Sequence, residues 1–463
     1  MKMNKLALFI LFGIASSAYA QKLTLQQAIE QTTQEYDLLK VKEAKLKALQ
    51  QNTTYTQGNY FPDLTFGAQQ SYGTINAQNG PLYAYGGLGS ASTSMPLAEQ
   101  NWNAAFGSLY FANINWNVFS FGKTRQQVKM AKAQERVSLE DLNQEVFKQQ
   151  IKVGATYLNL LAAQRIKFVQ EQNLQRAKVF YEVTKANADS GLIAQVDEQL
   201  AQAELANAQA LYLKAYDKEI EYQKALAVLL NQTTMPYQLD EVFTISQPNI
   251  AEGLSNEVVE HPILQLHQSQ IDQSKVMEKL IVKGSLPTLN AFGIIQGRGS
   301  GFEWNYVQDN TAFTRNYSNG VGIDRSNYLV GLTLTWNITN FFKTTSKRKE
   351  QEQFTNSLSY QYSRMSKELE NQQKLAAEKF VNAQDILGQT KIQVSAASTA
   401  FAQQKALYEN GLSNLVDFTQ ALYTLQRAEI DFEIAQNNVW QALLLESSAK
   451  GDINYLLNAI PQK

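Results

Sequence analysis

The chain repeats itself. Trp116-Asn117 recurs as Trp336-Asn337, Phe121 as Phe341 and Lys123 as Lys343, each 220 residues further on. Gly191-Leu192, Val196-Asp197 and Ala201 recur at the same offset as Gly411-Leu412, Val416-Asp417 and Ala421. Earlier in each half the offset is 225, joining Glu35 to Glu260, Leu39 to Leu264 and Pro62 to Pro287. The change of offset falls between Pro62 and Trp116 and their counterparts. A fixed order kept at so long a period means one supersecondary unit used twice, here 21–240 and 241–463.

Both halves read in the same order. A helical stretch (22–58; 256–283) runs into a strand opened by a proline (62–75; 287–298) and then into a Gly/Ser/Asn-rich loop. A second strand (108–120; 327–339) follows, then a long polar helix (123–187; 343–407), a Gly-Leu turn and a returning helix (193–230; 413–449). The class is mainly α with a small β part. Only eight prolines are present, none between Pro96 and Pro236 or between Pro287 and Pro461, so both long stretches lack the strongest helix breaker. A helix of about 65 residues would extend roughly 97 Å. In the returning helices Ala201, Ala208 and Ala215, and again Ala421, Ala428, Ala435 and Ala442, fall seven apart. That spacing imposes a left-handed supercoil with a seam of small residues.

The second strand of each half alternates sharply. Tyr110, Ala112, Ile114, Trp116 and Val118 interleave with Phe111, Asn113, Asn115 and Asn117, while Tyr328, Val330, Leu332, Leu334, Trp336 and Ile338 interleave with Leu329, Gly331, Thr333, Thr335 and Asn337. A soluble sandwich gives the same period. The length suits a tilted bilayer strand, however, and Tyr and Trp stand near the ends of the apolar stripe as in an interfacial girdle. Leu64, Phe66, Ala68 and Tyr72 repeat the pattern more weakly, and Leu289 to Gln296 is ambiguous. Ile114, Trp116, Leu334 and Trp336 are therefore the expected lipid-facing positions. Four strands cannot close a membrane barrel, and an open edge in lipid leaves backbone groups unpaired at several kcal/mol each. Strands that cross a membrane would have to be shared among several chains.

Residues 1–20 carry Lys2 and Lys5, the apolar run Leu6 to Ala15 and Ala18-Tyr19-Ala20, the three-part pattern of a secretory signal peptide. Lys+Arg 41 against Asp+Glu 42 leaves a net charge of -1, so no basic field recruits nucleic acid. There is no cysteine to form a disulfide or carry a lipid.

In this order and in duplicate, these residues resemble the TolC-like outer-membrane efflux protein family over nearly all of the mature chain. The resemblance rests on Leu25 with Ala28, His261-Pro262, Pro62 and Pro287, Trp116 and Trp336, and the two Gly-Leu turns. It implies a homotrimer whose protomers each give four strands to a twelve-strand barrel, continued by a long periplasmic α-barrel. It also implies an adaptor protein and an inner-membrane pump as partners, outer-membrane lipid around the strands, and a place in the outer membrane of a Gram-negative bacterium. Gly191, Leu192, Gly411 and Leu412 match the tip turns where adaptors dock. Asp197, Tyr408 and Asp417 match positions that constrict the resting tip. Ser413 and Gln420 depart from the family pattern, standing where some members carry a linking Arg and a second acidic ring. Tyr36-Asp37 replaces the usual Asn-Pro.

No nucleophile with its base is apparent, so no enzyme is expected. His261 and His267 are six apart and do not share a helix face as metal ligands would. No cofactor or metal is expected. Gly297-Arg298-Gly299-Ser300-Gly301 lacks the Gly-Lys-Ser/Thr ending of a phosphate loop and reads as an exposed barrel loop. The competing expectation is a periplasmic or surface coiled-coil scaffold without a pore, which explains the helices but not the strands between them.

Overall fold

The computed structural model describes residues 22–77, 95–233, 237–249 and 261–461. The signal expected over 1–20 and the first residues of the helix expected from 256 lie outside them. The described chain is mainly helical and forms two compact units whose chain boundaries fall inside four helices. Those helices are α2 (Asp37–Gln57), α3 (Lys123–Asp189), α6 (Pro262–Gly284) and α8 (Asn340–Glu409). Among the described residues no helix is long and apolar enough to cross a membrane.

One unit, 48–135 with 271–357, holds a single sheet. Its strands β1 (Asp63–Thr74), β2 (Ala104–Phe119), β3 (Thr288–Ser300) and β4 (Arg325–Thr335) form an antiparallel meander in chain order, so β1 and β4 are its two edges. The register places Leu64, Ile114, Gly293 and Val330 in one row and Phe66, Ala112, Ile295 and Tyr328 in the next. Because side chains alternate across a strand, these rows define an apolar face. The opposite face carries Thr65, Asn113, Asn115, Thr333 and their neighbours. Two large rings lie on that polar face, each over a glycine in the neighbouring strand. A Cβ on Gly67 would meet the Phe111 ring at 2.4 Å, and one on Gly331 would meet Phe292 at 2.7 Å. Close approach therefore requires glycine at both positions.

Several boundaries differ from expectation: β2 begins at Ala104 rather than 108 and α8 at Asn340 rather than 343. The first helix is broken: α1 (Leu25–Glu35) ends where Tyr36 is extended, and α2 begins at Asp37. β4 stops at Thr335 rather than 339, so Trp336 sits just beyond the strand and its indole donates to Ser285 O at 3.1 Å. Trp116, inside β2, donates in the same way to Tyr60 O at 2.9 Å. Gly297 to Ser300 belong to β3 instead of a loop, and the following connection contains a short helix, α7 (Tyr317–Val321).

The other unit, 22–47 with 136–270 and 358–461, is built on α1, the corresponding parts of α3 and α8, and the returning helices α4 (Gln195–Leu229) and α9 (Leu415–Lys450). α1 opens with a capping box in which Thr24 Oγ1 accepts from Gln27 N and the Gln27 side chain accepts from Thr24 N. The core gathers Leu25, Tyr157, Leu160, Leu226, Trp440 and Leu443, with Leu456 of α10 (Asn454–Asn458) and Phe243 of α5 (Val242–Ile245). Tyr157 ties the segment before α1 and the segment after α4 to it, since its hydroxyl donates to Leu23 O at 2.7 Å and accepts from Asp240 N at 3.0 Å. Burial pushes that phenol far above the usual tyrosine range. The seven-residue alanine seam is buried at Ala201, Ala208, Ala215, Ala428, Ala435 and Ala442. Side chains without methyl branches let neighbouring helices approach closely there.

Candidate functional site: the helical turns and the apolar sheet face

Both Gly-Leu sequences end long helices in the same way. After α3, Gly191 N donates to Ala188 O and Leu192 N to Asn187 O, each at 2.9 Å. After α8, Gly411 N donates to Tyr408 O at 3.0 Å and Leu412 N to Leu407 O at 2.9 Å. This pair of bonds is a Schellman motif with glycine at the left-handed position, φ 75° and 69°. A Cβ at either glycine would meet nothing within 4 Å, so conformation alone selects glycine here. Leu192 and Leu412, each 75% exposed, project from the turns.

Behind the second turn lies an aromatic cluster. Phe418 rests 4.5 Å from Phe180 and 5.2 Å from Tyr408 between ring centroids, with Phe401 beside it. Tyr408 bonds Thr184, and its phenol is raised first by burial and further by the neighbouring Asp197 carboxylate. Tyr408 and Asp197, named from the sequence, are thus near enough for the carboxylate's charge to act on the phenol. Asp417 is exposed: its backbone N–H donates to Asn414 Oδ1 at 2.8 Å, which caps α9, and its carboxylate makes no ion pair among the described residues. Ser413 is held by Gln404.

Further along α4, sequence reading missed a carboxyl–phenol link. Glu204 is buried and bonded by the Tyr423 hydroxyl of α9, while its Oε1 has no partner among the described residues. Burial raises the Glu204 carboxyl above the usual range and, with the carboxylate beside it, pushes the Tyr423 phenol up to about 12. No motif announces such a pair, because the two residues lie on separate helices.

At the sheet, the expected lipid-facing side chains Ile114, Trp116, Leu334 and Trp336 are all exposed in the protomer. They belong to a continuous apolar surface on which Tyr328 is 80%, Val330 71% and Leu332 69% exposed. A water-soluble monomer rarely leaves a patch of this kind open.

Residues 25–232 match the family model described as outer membrane efflux protein. The solved channel CmeC of Campylobacter jejuni is similar at 14% identity and TM-score 0.74, over 92% of this chain and 85% of that one. CusC is similar at 12% identity and TM-score 0.74, over 92% of both chains. VceC of Vibrio cholerae is similar at 15% identity and TM-score 0.71, over 92% of this chain and 96% of that one. In fold, the chain is similar to these solved outer-membrane channels. No curated protein sequence matches it. That shared fold includes both a sheet with one apolar face and long helices joined by tight turns.

Proposed function

We propose that three copies of this chain close one twelve-strand barrel in a Gram-negative outer membrane and continue it as a periplasmic helical duct. The duct is the passive exit of a tripartite efflux or type I secretion system, energised by an inner-membrane pump through an adaptor. The carrying observation is the four-stranded sheet with an exposed apolar face and two edges, β1 and β4, that no further strand joins among the described residues. In lipid every backbone group needs a partner, so the edges must meet other strands. A scaffold without a pore would leave Val330, Leu332 and Leu334 in water.

The internal duplication is supported by register. Leu64 opposite Ile114 corresponds to Leu289 opposite Leu334 under the two offsets, and the Trp116–Tyr60 bond corresponds to Trp336–Ser285. Two units per chain and three chains give a pseudo-sixfold duct. The exposed leucines at Gly191-Leu192 and Gly411-Leu412 suit adaptor docking, and Tyr408 with Asp197 suits a polar restraint on the closed tip. Asp417, held only through its backbone, is free to present its carboxylate to the duct.

Because the chain lacks cysteine, single cysteines placed along β1 and β4 form disulfides only by design. Oxidation should give a ladder ending at trimer on denaturing gels, and the purified protein should conduct in planar bilayers. A folded, detergent-free monomer that yields no ladder and no conductance would overturn the proposal.

A further inference from the structure

The charged residues of the four strands are Asp63, Arg298 and Arg325. Register places all three on the polar face. Arg298 stands directly opposite Arg325 across the β3–β4 pair, with Leu109 and Gln69 completing the row. Directly opposed side chains lie about 5 Å apart at Cβ, where like charges repel. Both arginines are exposed, and neither makes an ion pair among the described residues. Residues 78–94, outside the described part, contain no Asp or Glu.

The acids of the β3–β4 connection, Glu303, Asp309 and Asp324, form no ion pair with either arginine among the described residues. Asp309 is held by Thr311 N and Oγ1, and Asp324 accepts from Ser300 N at 3.0 Å. Arg315, the remaining cation of that segment, lies over the Phe313 ring. The connection itself returns across the apolar-parity face, where Ser108 Oγ and Tyr110 Oη donate to Val321 O at 3.0 and 3.2 Å. Those two bonds lie on the face opposite the arginines. Asp63, the first residue of β1, marks the opposite end of the sheet. An uncompensated like-charge pair costs stability, and guanidinium groups suit carboxylates and phosphates, which they bind bidentately.

We infer that Arg298 and Arg325 form an anion-binding ring on the water side of the barrel at its loop end, taking solutes that carry carboxylate or phosphate. This rests on the proposed duct, in which three copies bring six guanidinium groups around one mouth. Departing anionic cargo meets attraction there, while Asp63 sets the opposite sign at the helix end of the strands.

Wild type and R298Q/R325Q are compared in planar bilayers of neutral lipid under a salt gradient, with citrate as the multivalent anion probe. The double variant should lower the anion-to-cation permeability ratio roughly threefold, as expected for loss of a focused potential. Block by citrate added at the loop side should weaken about tenfold, while R298K/R325K should keep the permeability ratio and lose part of the block. Removing like-charge repulsion does not threaten folding, and conductance of the Gln variant confirms assembly. Conducting channels with an unchanged ratio and unchanged block would overturn the ring and leave the duct standing. A difference seen only when lipopolysaccharide is present would assign the arginines to lipid phosphates and also overturn it. Wild type without conductance overturns the duct and the ring together.

Discussion

Val330 lies near the middle of β4, opposite Gly293, with 71% of its surface exposed in the protomer. Its replacement by lysine removes little packing within the chain. If that face met water, stability would change by no more than about 0.5 kcal/mol, as for ordinary surface substitutions. If it meets hydrocarbon, a lysine near the midplane costs about 2–4 kcal/mol. Such a penalty lowers the folded-to-unfolded ratio roughly 30- to 700-fold. Thr333 supplies the control, since it is also exposed on the same strand but belongs to the polar face. Protein folded into phosphatidylcholine vesicles is titrated with urea and followed by the heat-sensitive gel mobility of the barrel. Val330→Lys should lower the midpoint strongly, and Thr333→Lys should leave it within error. Equal effects of the two substitutions would show that the faces are not solvated differently, and the barrel reading would fail at its premise.

Other perturbations probe the helical unit. Gly411→Ala, and separately Gly191→Ala, should each cost about 1–2 kcal/mol locally because an L-residue enters the left-handed region, read as faster amide exchange at the leucine that follows. Arg165 bonds Glu433 through Nε and Nη2 at 3.2 and 2.9 Å. Arg165→Met, which strands the more buried carboxylate, should cost roughly 2 kcal/mol, and Arg165→Met with Glu433→Leu should recover most of it; Tm of the two variants checks this. The Glu204 carboxyl is raised by burial. Its stabilising contribution is complete below the ordinary glutamate range and is lost as pH rises through the raised value. Glu204→Gln should therefore raise Tm at neutral pH relative to wild type and flatten its fall from acid to neutral conditions; a variant that keeps the wild-type slope would refute the assignment.

The strands were legible because a period of two survives in the sequence wherever one face is uniformly apolar, as in β2 and β4. β3 was ambiguous because Phe292 and Ile294 put apolar side chains on the polar face. The structure explains Phe292, which lies over Gly331. The equivalent pair in the other half is Gly67 with Phe111, so the two offsets map each glycine onto a phenylalanine. Read singly, neither position looks duplicated; as pairs, both fill the same space. The polar face accepts a ring only where the opposite residue has no side chain.

The helical site was legible only in part, for a related reason. The Gly-Leu turns announce themselves, since left-handed backbone narrows the choice of residue at one position. Asp197 acts on Tyr408 through its charge, but Thr184, Phe180, Phe418 and Gln404 complete that neighbourhood from other turns and helices. Their pairing depends on the register between helices, which periodicity along one helix does not encode. Asp417 shows the converse. Its place after the turn was visible, yet the structure binds its backbone to Asn414 and leaves its carboxylate exposed. The two indole anchors carry the point furthest. Trp116 and Trp336 both bond carbonyl oxygens, of Tyr60 and Ser285. Every residue offers that acceptor, so the interaction persists while the acceptor's side chain changes freely. A duplicated fold can therefore keep its joints after it has lost most of its matching letters.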